Sequence, residues 1–323
     1  MNDGTAERRE RVLAAIVAAG PAGVSGEALA VTLGCSRAAV HRHVDALRRD
    51  GLDIVSAHDG YRLGDGEDPV VASLVSPQLS PPFTGPLTWL TATGSTNDDV
   101  IALARSGAPE GVIVGADVQH AGRGRRGRTW LSGRGQSLLV SVLLRPDVAP
   151  VDASLLPIVV AVGVADAIGS DARIVWPNDI LMGGRKVAGI LCEMSAEQDR
   201  VSWAVAGIGV NVRSAPDIDD ARWLPGALSD FGPPPPRANL LVDLLAHLGR
   251  RYREWVESGP ATILAAFASR DALTGRHVTV SLPEGELVGR CEGTDDLGRL
   301  RLRSAQGERR LGAGEVVRVT PKL

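Results

Sequence analysis

The punctuation of the first 64 residues limits what this chain can build more than any other feature. Val12, Leu13, Ile16 and Val17 recur at helical spacing and run into a Gly20-Pro21 stop. A second helix is expected from near Ser25, with Glu27 and Ala28 in its first turn, to Leu33-Gly34. A third is expected from Ser36 as N-cap, with Val40, Val44 and Leu47 on one face and an end at Gly51. From Leu52 to Leu63 apolar and polar residues alternate around Asp59-Gly60, a hairpin signal. Two helices joined by a tight turn containing glycine form a helix-turn-helix. The following hairpin makes it a winged one.

The charge on this unit is balanced. Residues 1–64 hold eight Arg against eight Asp plus Glu, and only the third helix has a surplus, with Arg37, Arg42, Arg48 and Arg49 against Asp45 and Asp50. That is a modest electrostatic footprint, and DNA binding is favoured over a plain helical bundle by a narrow margin. Ser36, Arg37, His41 and Arg42 at the start of the helix are the candidates for base or phosphate contact. His41 and His43 stand two residues apart, on different helix faces, which argues against a metal pair.

Residues 65–86 carry Pro69, Pro77, Pro81, Pro82 and Pro86 and read as a linker with one short helix near Val70 to Val75. From residue 87 to 270, strand-like runs at 111–118, 137–144, 185–194 and 201–212 are interspersed with helical stretches at 97–106, 152–169 and 238–257. An α+β domain built on one sheet is expected. Pro233 to Pro236 form a stiff elbow before the last of those helices. Over 271–323, short alternating segments with glycine turns predict a small β-barrel.

Composition excludes several classes. With 323 residues, 44% of them hydrophobic, the chain is too apolar for disorder and long enough for two or three domains. Its longest apolar run, Leu155 to Gly169, is interrupted by Pro157 and Asp166 and is too short to span a bilayer. The first residues lack the apolar stretch of a secretory signal. Cys35, Cys192 and Cys291 lie far apart, without metal spacing or a disulfide set. The expectation is a soluble, cytoplasmic protein with no membrane association.

Of 35 basic residues, 33 are arginine; the two lysines are Lys186 and Lys322, the latter at the penultimate position of the chain. A body position that keeps lysine points to a need for a compact ammonium with rotatable donors, against the bland alternative of chance. Lys186 lies in Gly183-Gly-Arg-Lys-Val-Ala-Gly189-Ile-Leu, shortly after Trp176-Pro-Asn-Asp179. Strand, Gly-Gly turn and strand would bring it to face Asn178 and Asp179, with Gly189 allowing a ligand near the backbone. That setting favours function over chance.

Three further segments carry chemistry. Gly122-Arg-Gly-Arg-Arg-Gly127-Arg128-Thr-Trp130 matches a dinucleotide fingerprint in form but leads into loop, not helix. Its arginines and glycines instead suit a mobile cationic loop that holds a phosphate, with Trp130 to stack or to pack the closed loop. Gly94-Ser95-Thr96-Asn97 precedes a helix, where a hydroxyl is more often a simple N-cap. Gly207-Ile-Gly209-Val-Asn211 reads as a strand whose glycines admit a flat ligand.

In this order, from about Glu7 to Val319, these motifs resemble the bifunctional biotin–protein ligases and biotin repressors. The resemblance implies a winged helix-turn-helix, a central mixed-sheet ligase domain like the class II synthetases, and a C-terminal SH3-like β-barrel. It implies activation of biotin by ATP with Mg2+ to biotinyl-5′-adenylate. Transfer then follows to one lysine of the biotin carboxyl carrier protein of a carboxylase.

Carried over by motif, Ser95, Thr96, Asn97, Gln119, Arg123, Gly124, Arg125, Lys186, Gly189, Gly207 and Gly209 bind biotin. The resemblance likewise implies that Arg128, Trp130, Asn178, Lys186 and Asn211 bind the nucleotide and that Lys186 and Arg125 are catalytic. No side-chain cluster reads as a metal site. The resemblance further implies operator DNA as a partner and a homodimer in the adenylate-bound state, for which the segment 185–194 offers an edge strand. In Gly312-Ala-Gly-Glu315-Val-Val-Arg318 the family's arginine is shifted by one position, so Arg318 receives no nucleotide contact. Two alternatives stay open, a regulator with decayed ligase activity and a lipoate-type ligase.

Overall fold

Three helices, a hairpin and a short fourth helix make the first unit of the computed structural model, which describes residues 3–57, 60–218 and 222–320. α1 (Asp3–Ala19), α2 (Gly26–Leu33) and α3 (Arg37–Arg49) pack apolar stripes together. Val12, Ile16, Leu29, Val40 and Val44 are almost wholly buried there. Each such side chain contributes about 1.5–3 kcal/mol on leaving water. The Ser25 and Ser36 hydroxyls accept from the amides of Ala28 at 3.0 Å and Ala39 at 3.2 Å, capping α2 and α3. Gly34 ends α2 in the left-handed conformation, φ 60°, which glycine adopts without Cβ strain.

β1 (Ile54–Ala57) and β2 (Gly60–Leu63) pair antiparallel, and Val24 bridges to Tyr61 beside them. The Asp59 half of the hairpin signal lies outside the described residues. α4 (Ala72–Val75) follows, and Val71 before it joins the core of the helical unit. The Ser73 amide also donates to Glu10 at 2.8 Å. The segment 65–86 is therefore not a bare linker: the chain to Gln78 belongs to the first unit, and Phe83 is buried in the second.

The second unit starts at Leu79. In chain order its first portion runs β3 (Leu87–Leu90), α5 (Thr96–Arg105), β4 (Ile113–Ala116), β5 (Ser137–Leu144), α6 (Leu156–Ile168), β6 (Arg173–Val175), β7 (Asp179–Met182), β8 (Arg185–Ala196), β9 (Val201–Asn211), α7 (Arg237–Ser258) and α8 (Ala261–Arg270). The seven strands form one sheet in the order β3-β4-β5-β9-β8-β7-β6, parallel only between β3 and β4. All of β5 is buried, which explains why its sequence, apolar apart from Ser137 and Ser141, shows no alternation. α5 covers it on one side through Val100 and Ala104, against Val114, Leu143 and Val205.

β8 has a register pairing with β7 only from Arg185 to Gly189, while β9 flanks it from Ala188 to Ala196. The expected edge strand at 185–194 is thus an edge only in its second half. The reason is the shortness of β7, four residues against twelve in β8.

The last strands are β10 (His277–Leu282), β11 (Gly285–Thr294), β12 (Leu300–Ser304), β13 (Gly307–Leu311) and β14 (Glu315–Thr320). They make a five-stranded antiparallel sheet, β13-β12-β11-β10-β14, around Val278, Val280, Leu300, Leu302 and Val316. This is the small β domain expected at the C-terminus. β3, β6 and α8 had no counterpart in the sequence reading.

Candidate active site

β8 and β9 carry the floor of a cavity of about 500 Å3 within the second unit. Every residue selected by motif for biotin or nucleotide lines it: Ser95, Thr96, Asn97, Gln119, Arg123, Gly124, Arg125, Arg128, Trp130, Asn178, Lys186, Gly189, Gly207, Gly209 and Asn211. These come from five separate stretches of chain, so the convergence is a product of the sheet topology.

At one end stands a buried polar set. Ser95 is the N-cap residue of α5, but its side chain makes no capping bond. Thr96 is likewise engaged elsewhere: its amide and hydroxyl both donate to Gln119 Oε1, at 2.8 and 3.1 Å, and the hydroxyl meets Ser141 at 2.7 Å. The simple capping role is thereby replaced by a network. Asn97 accepts from Ser141 at 2.6 Å and donates to Glu193 at 2.8 Å. Its Oδ1 would lie 2.0 Å from a Cβ at position 207, which is why β9 has glycine there.

The middle of the floor is formed by Gly189 and Gly209, directly opposite each other in register. The indole of Trp130 lies over both, 2.9 and 2.5 Å from where their Cβ atoms would be. A side chain on either strand would expel it. Lys186 Nζ sits 5.6 Å from the centroid of the same indole, within cation–π range.

Lys186 is positioned by the β7–β8 hairpin, whose Gly183-Gly184 turn has φ 52° and 78°, the pairing a two-residue turn requires. Its ammonium lies 2.7 Å from Asp179 Oδ1. Burial, then the Arg128 and Arg125 guanidiniums, pulls it down to about 7. The juxtaposition with Asp179 was expected from the hairpin. Asn178 turns to other partners, accepting from Arg125 at 2.9 Å and donating to Ile190 O at 2.9 Å.

The arginine-rich loop differs from the crowd of mutually repelling cations that its composition suggests. Gly122 O takes the Trp130 amide at 2.9 Å and Gly124 donates to Arg128 O at 2.7 Å, which folds the loop back on itself. Each arginine then has its own acceptor. Arg123 forks onto Glu193 at 3.0 and 2.8 Å and reaches Asp98 at 2.6 Å. Arg125 holds Asn178 and, at 3.1 Å, Gly314 O. Arg126, left-handed at φ 56°, binds Ser281, and Arg128 pairs with Glu315. The counter-groups come from distant segments, so local charge counting could not see them.

Arg222, Trp223, Asp179 and Glu315 are among the residues that the motif reading left out of its site. Arg222 and Trp223 line the cavity, and Arg222 bridges Asp179 and Glu315. Burial, followed by Arg128 and Arg125, lowers its guanidinium to about 9. The indole nitrogens of Trp130 and Trp223 are buried without a hydrogen-bond partner, donors that a ligand with acceptor atoms would satisfy. Arg318 is exposed on β14 and does not line the cavity. In the winged unit, Arg37, His41 and Arg42 are exposed on α3, whereas the Ser36 hydroxyl is committed to its cap.

The model of the biotin/lipoate A/B protein ligase family matches residues 90–211, that of a helix-turn-helix domain 8–62, and that of the biotin protein ligase C-terminal domain 273–319. The bifunctional ligase/repressor BirA of Bacillus subtilis is 33% identical over 302 residues, 91% of this chain and 93% of the relative. The biotin–[acetyl-CoA-carboxylase] ligase of Mycobacterium tuberculosis is 36% identical over 238 residues, 70% of this chain and 86% of the relative. Among solved structures, the biotin protein ligase from Aquifex aeolicus in complex with biotin and ATP superposes with a TM-score of 0.61 at 26% identity, covering 71% of this chain and 97% of that one.

Proposed function

The chain belongs to the biotin–protein ligase family, and on that premise we propose how its cavity performs the reaction. The protein activates biotin with ATP, transfers it to a lysine of a biotin carboxyl carrier protein, and represses transcription through its helix-turn-helix. The observation that carries the site assignment is the convergence of all five motif segments on one cavity around Lys186.

In the first half-reaction a biotin carboxylate oxygen attacks the α-phosphorus of ATP, and the bond to the pyrophosphate oxygen breaks. Negative charge accumulates at the phosphorus, so catalysis consists of positioning and cationic stabilisation. Lys186 and Arg125 supply that charge; no general base is required of a carboxylate nucleophile. Ser95, Thr96, Asn97 and Gln119 supply donors and acceptors for the ureido group, while Gly189, Gly207 and Gly209 leave room for the fused rings. Arg123 and Gly124 close that end. Arg128, Trp130, Asn178 and Asn211 face the nucleotide. Mg2+ accompanies the ATP phosphates, which together with water commonly satisfy most of its coordination.

In the second half-reaction the carrier lysine, as free amine, attacks the acyl carbon; AMP departs and the amine loses a proton. Incubating the protein with biotin, ATP, Mg2+ and a carrier domain should yield carrier biotinylated at one lysine by mass spectrometry. Carrier that stays unmodified with biotin, or is modified only when lipoate replaces biotin, would refute the assignment.

The exposed Arg37, His41 and Arg42 of α3 are the proposed contacts to operator DNA, with Ser36 holding the helix start. The second half of β8, paired on one side only, is the proposed seam of an adenylate-bound homodimer.

A further inference from the structure

Asp179 divides its carboxylate between two cations. Oδ1 takes the Lys186 ammonium at 2.7 Å, and Oδ2 pairs with the Arg222 guanidinium. The other terminal nitrogen of Arg222 reaches Glu315 Oε1 at 2.5 Å, an oxygen that Arg128 also pairs with. The Asp179, Arg222 and Glu315 side chains are only 3%, 12% and 11% exposed, so water scarcely weakens these pairs. The guanidinium also lies over the Trp223 ring, 5.4 Å from its centroid, which fixes its plane.

We propose that Arg222 is a positioning residue for adenylate formation: by holding one oxygen of Asp179 and one of Glu315, it fixes the carboxylate that aims Lys186. This rests on the ligase reading of the cavity. Arg222 comes from the segment after β9, Asp179 from β7 and Glu315 from β14, so one side chain ties the lysine hairpin to the C-terminal sheet.

The physical reason lies in donor accounting. An ammonium has three donors. While Arg222 occupies Oδ2, Asp179 engages Lys186 through one oxygen and leaves the remaining donors for a carboxylate and a phosphate. Without Arg222, both oxygens fall to Lys186, the nearest cation, and the ammonium is drawn out of line with the reacting groups. Arg128, relieved of its competitor, would keep Glu315 to itself.

The lysine-poor sequence supplies a direct probe. Protein labelled with 13C and 15N in lysine gives side-chain signals from Lys186 and Lys322 alone, the second serving as control. Arg222→Met should move the Lys186 signal and lower kcat for biotin-dependent pyrophosphate release by about ten- to a hundredfold, with the KM for biotin little changed. Arg222→Lys should restore part of both. In an Asp179→Asn background the Arg222→Met replacement should cost little more, because its route is gone. Arg222→Gln is read in the same way if the methionine variant fails a thermal-unfolding check.

An unmoved Lys186 signal, or an equal loss of kcat with and without Asp179, would overturn the proposal. The lysine signal is recorded without substrate, so it is independent of whether the protein uses biotin.

Discussion

In the proposed mechanism a compact ammonium at position 186 does what none of the thirty-three guanidiniums in this chain can. It sits 2.7 Å from Asp179 and beneath the Trp130 indole, in a space bounded by the bare backbone of Gly189. Arginine is longer and planar, and its fork cannot turn its donors between a carboxylate and a phosphate. Lys186→Arg should therefore reduce adenylate formation by at least about a hundredfold with an unchanged thermal midpoint; near-normal turnover would remove Lys186 from catalysis.

The ammonium also sets a pH dependence. Because burial and neighbouring arginines bring Lys186 down to about 7, the charged form is present below that pH and lost as pH rises through it. kcat/KM for adenylate formation, which reports the free enzyme, should fall on the alkaline side of about 7. Bound anions favour the ammonium, so the limb in kcat should lie higher. A kcat/KM profile with no alkaline fall at all would contradict this.

Gly207→Ala tests the other end: its Cβ would meet Asn97 Oδ1 at 2.0 Å and disturb the Ser141 and Glu193 contacts. A loss of about 1–3 kcal/mol in denaturant unfolding is expected, with a raised KM for biotin. Lys186 and these glycines could be found from sequence because their neighbours in the chain form short, specific motifs. Arg222 and Glu315 could not, since their partners lie across the sheet in sequence-remote segments.

At the scale of elements, the arginine loop carries its partners with it. Arg125 alone ties it to Asn178 and to Gly314 of the C-terminal portion. Replacing Arg125 with Gly removes both ties and adds backbone freedom, on the order of 1 kcal/mol of ordering cost. The expected result is a loop that holds adenylate less well, so activated biotin escapes and labels an unrelated bystander protein. Bystander labelling no higher than wild type would mean that the loop does not retain the adenylate.

The longer elements were legible where a strong period or a glycine turn marked them, as in α3 and the β7–β8 hairpin. β3 and β6, with four and three residues, are too short to establish a period. α8 follows Gly259-Pro260, after the helix expected to be the last. The partial edge of β8 was invisible because it depends on where β7 stops.

Taken as a molecule, the chain joins a winged unit and a ligase unit that each bury their own core. The composition placed the boundary at residue 64, but Val71 packs into the winged core and the first unit extends to Gln78. A chain starting at Leu79 should keep adenylate formation and lose DNA binding in a gel shift at fixed salt, whereas Arg37→Ala should weaken binding and flatten its salt dependence. A truncated protein that still shifts its own upstream DNA would place the DNA contact outside the winged unit.

The central claim is that this cavity activates biotin, and pyrophosphate release measures it without a carrier protein. With ATP and Mg2+ present, the full chain should release pyrophosphate when biotin is added and not when lipoate is added. Release with lipoate instead of biotin, or none with either, would contradict the account.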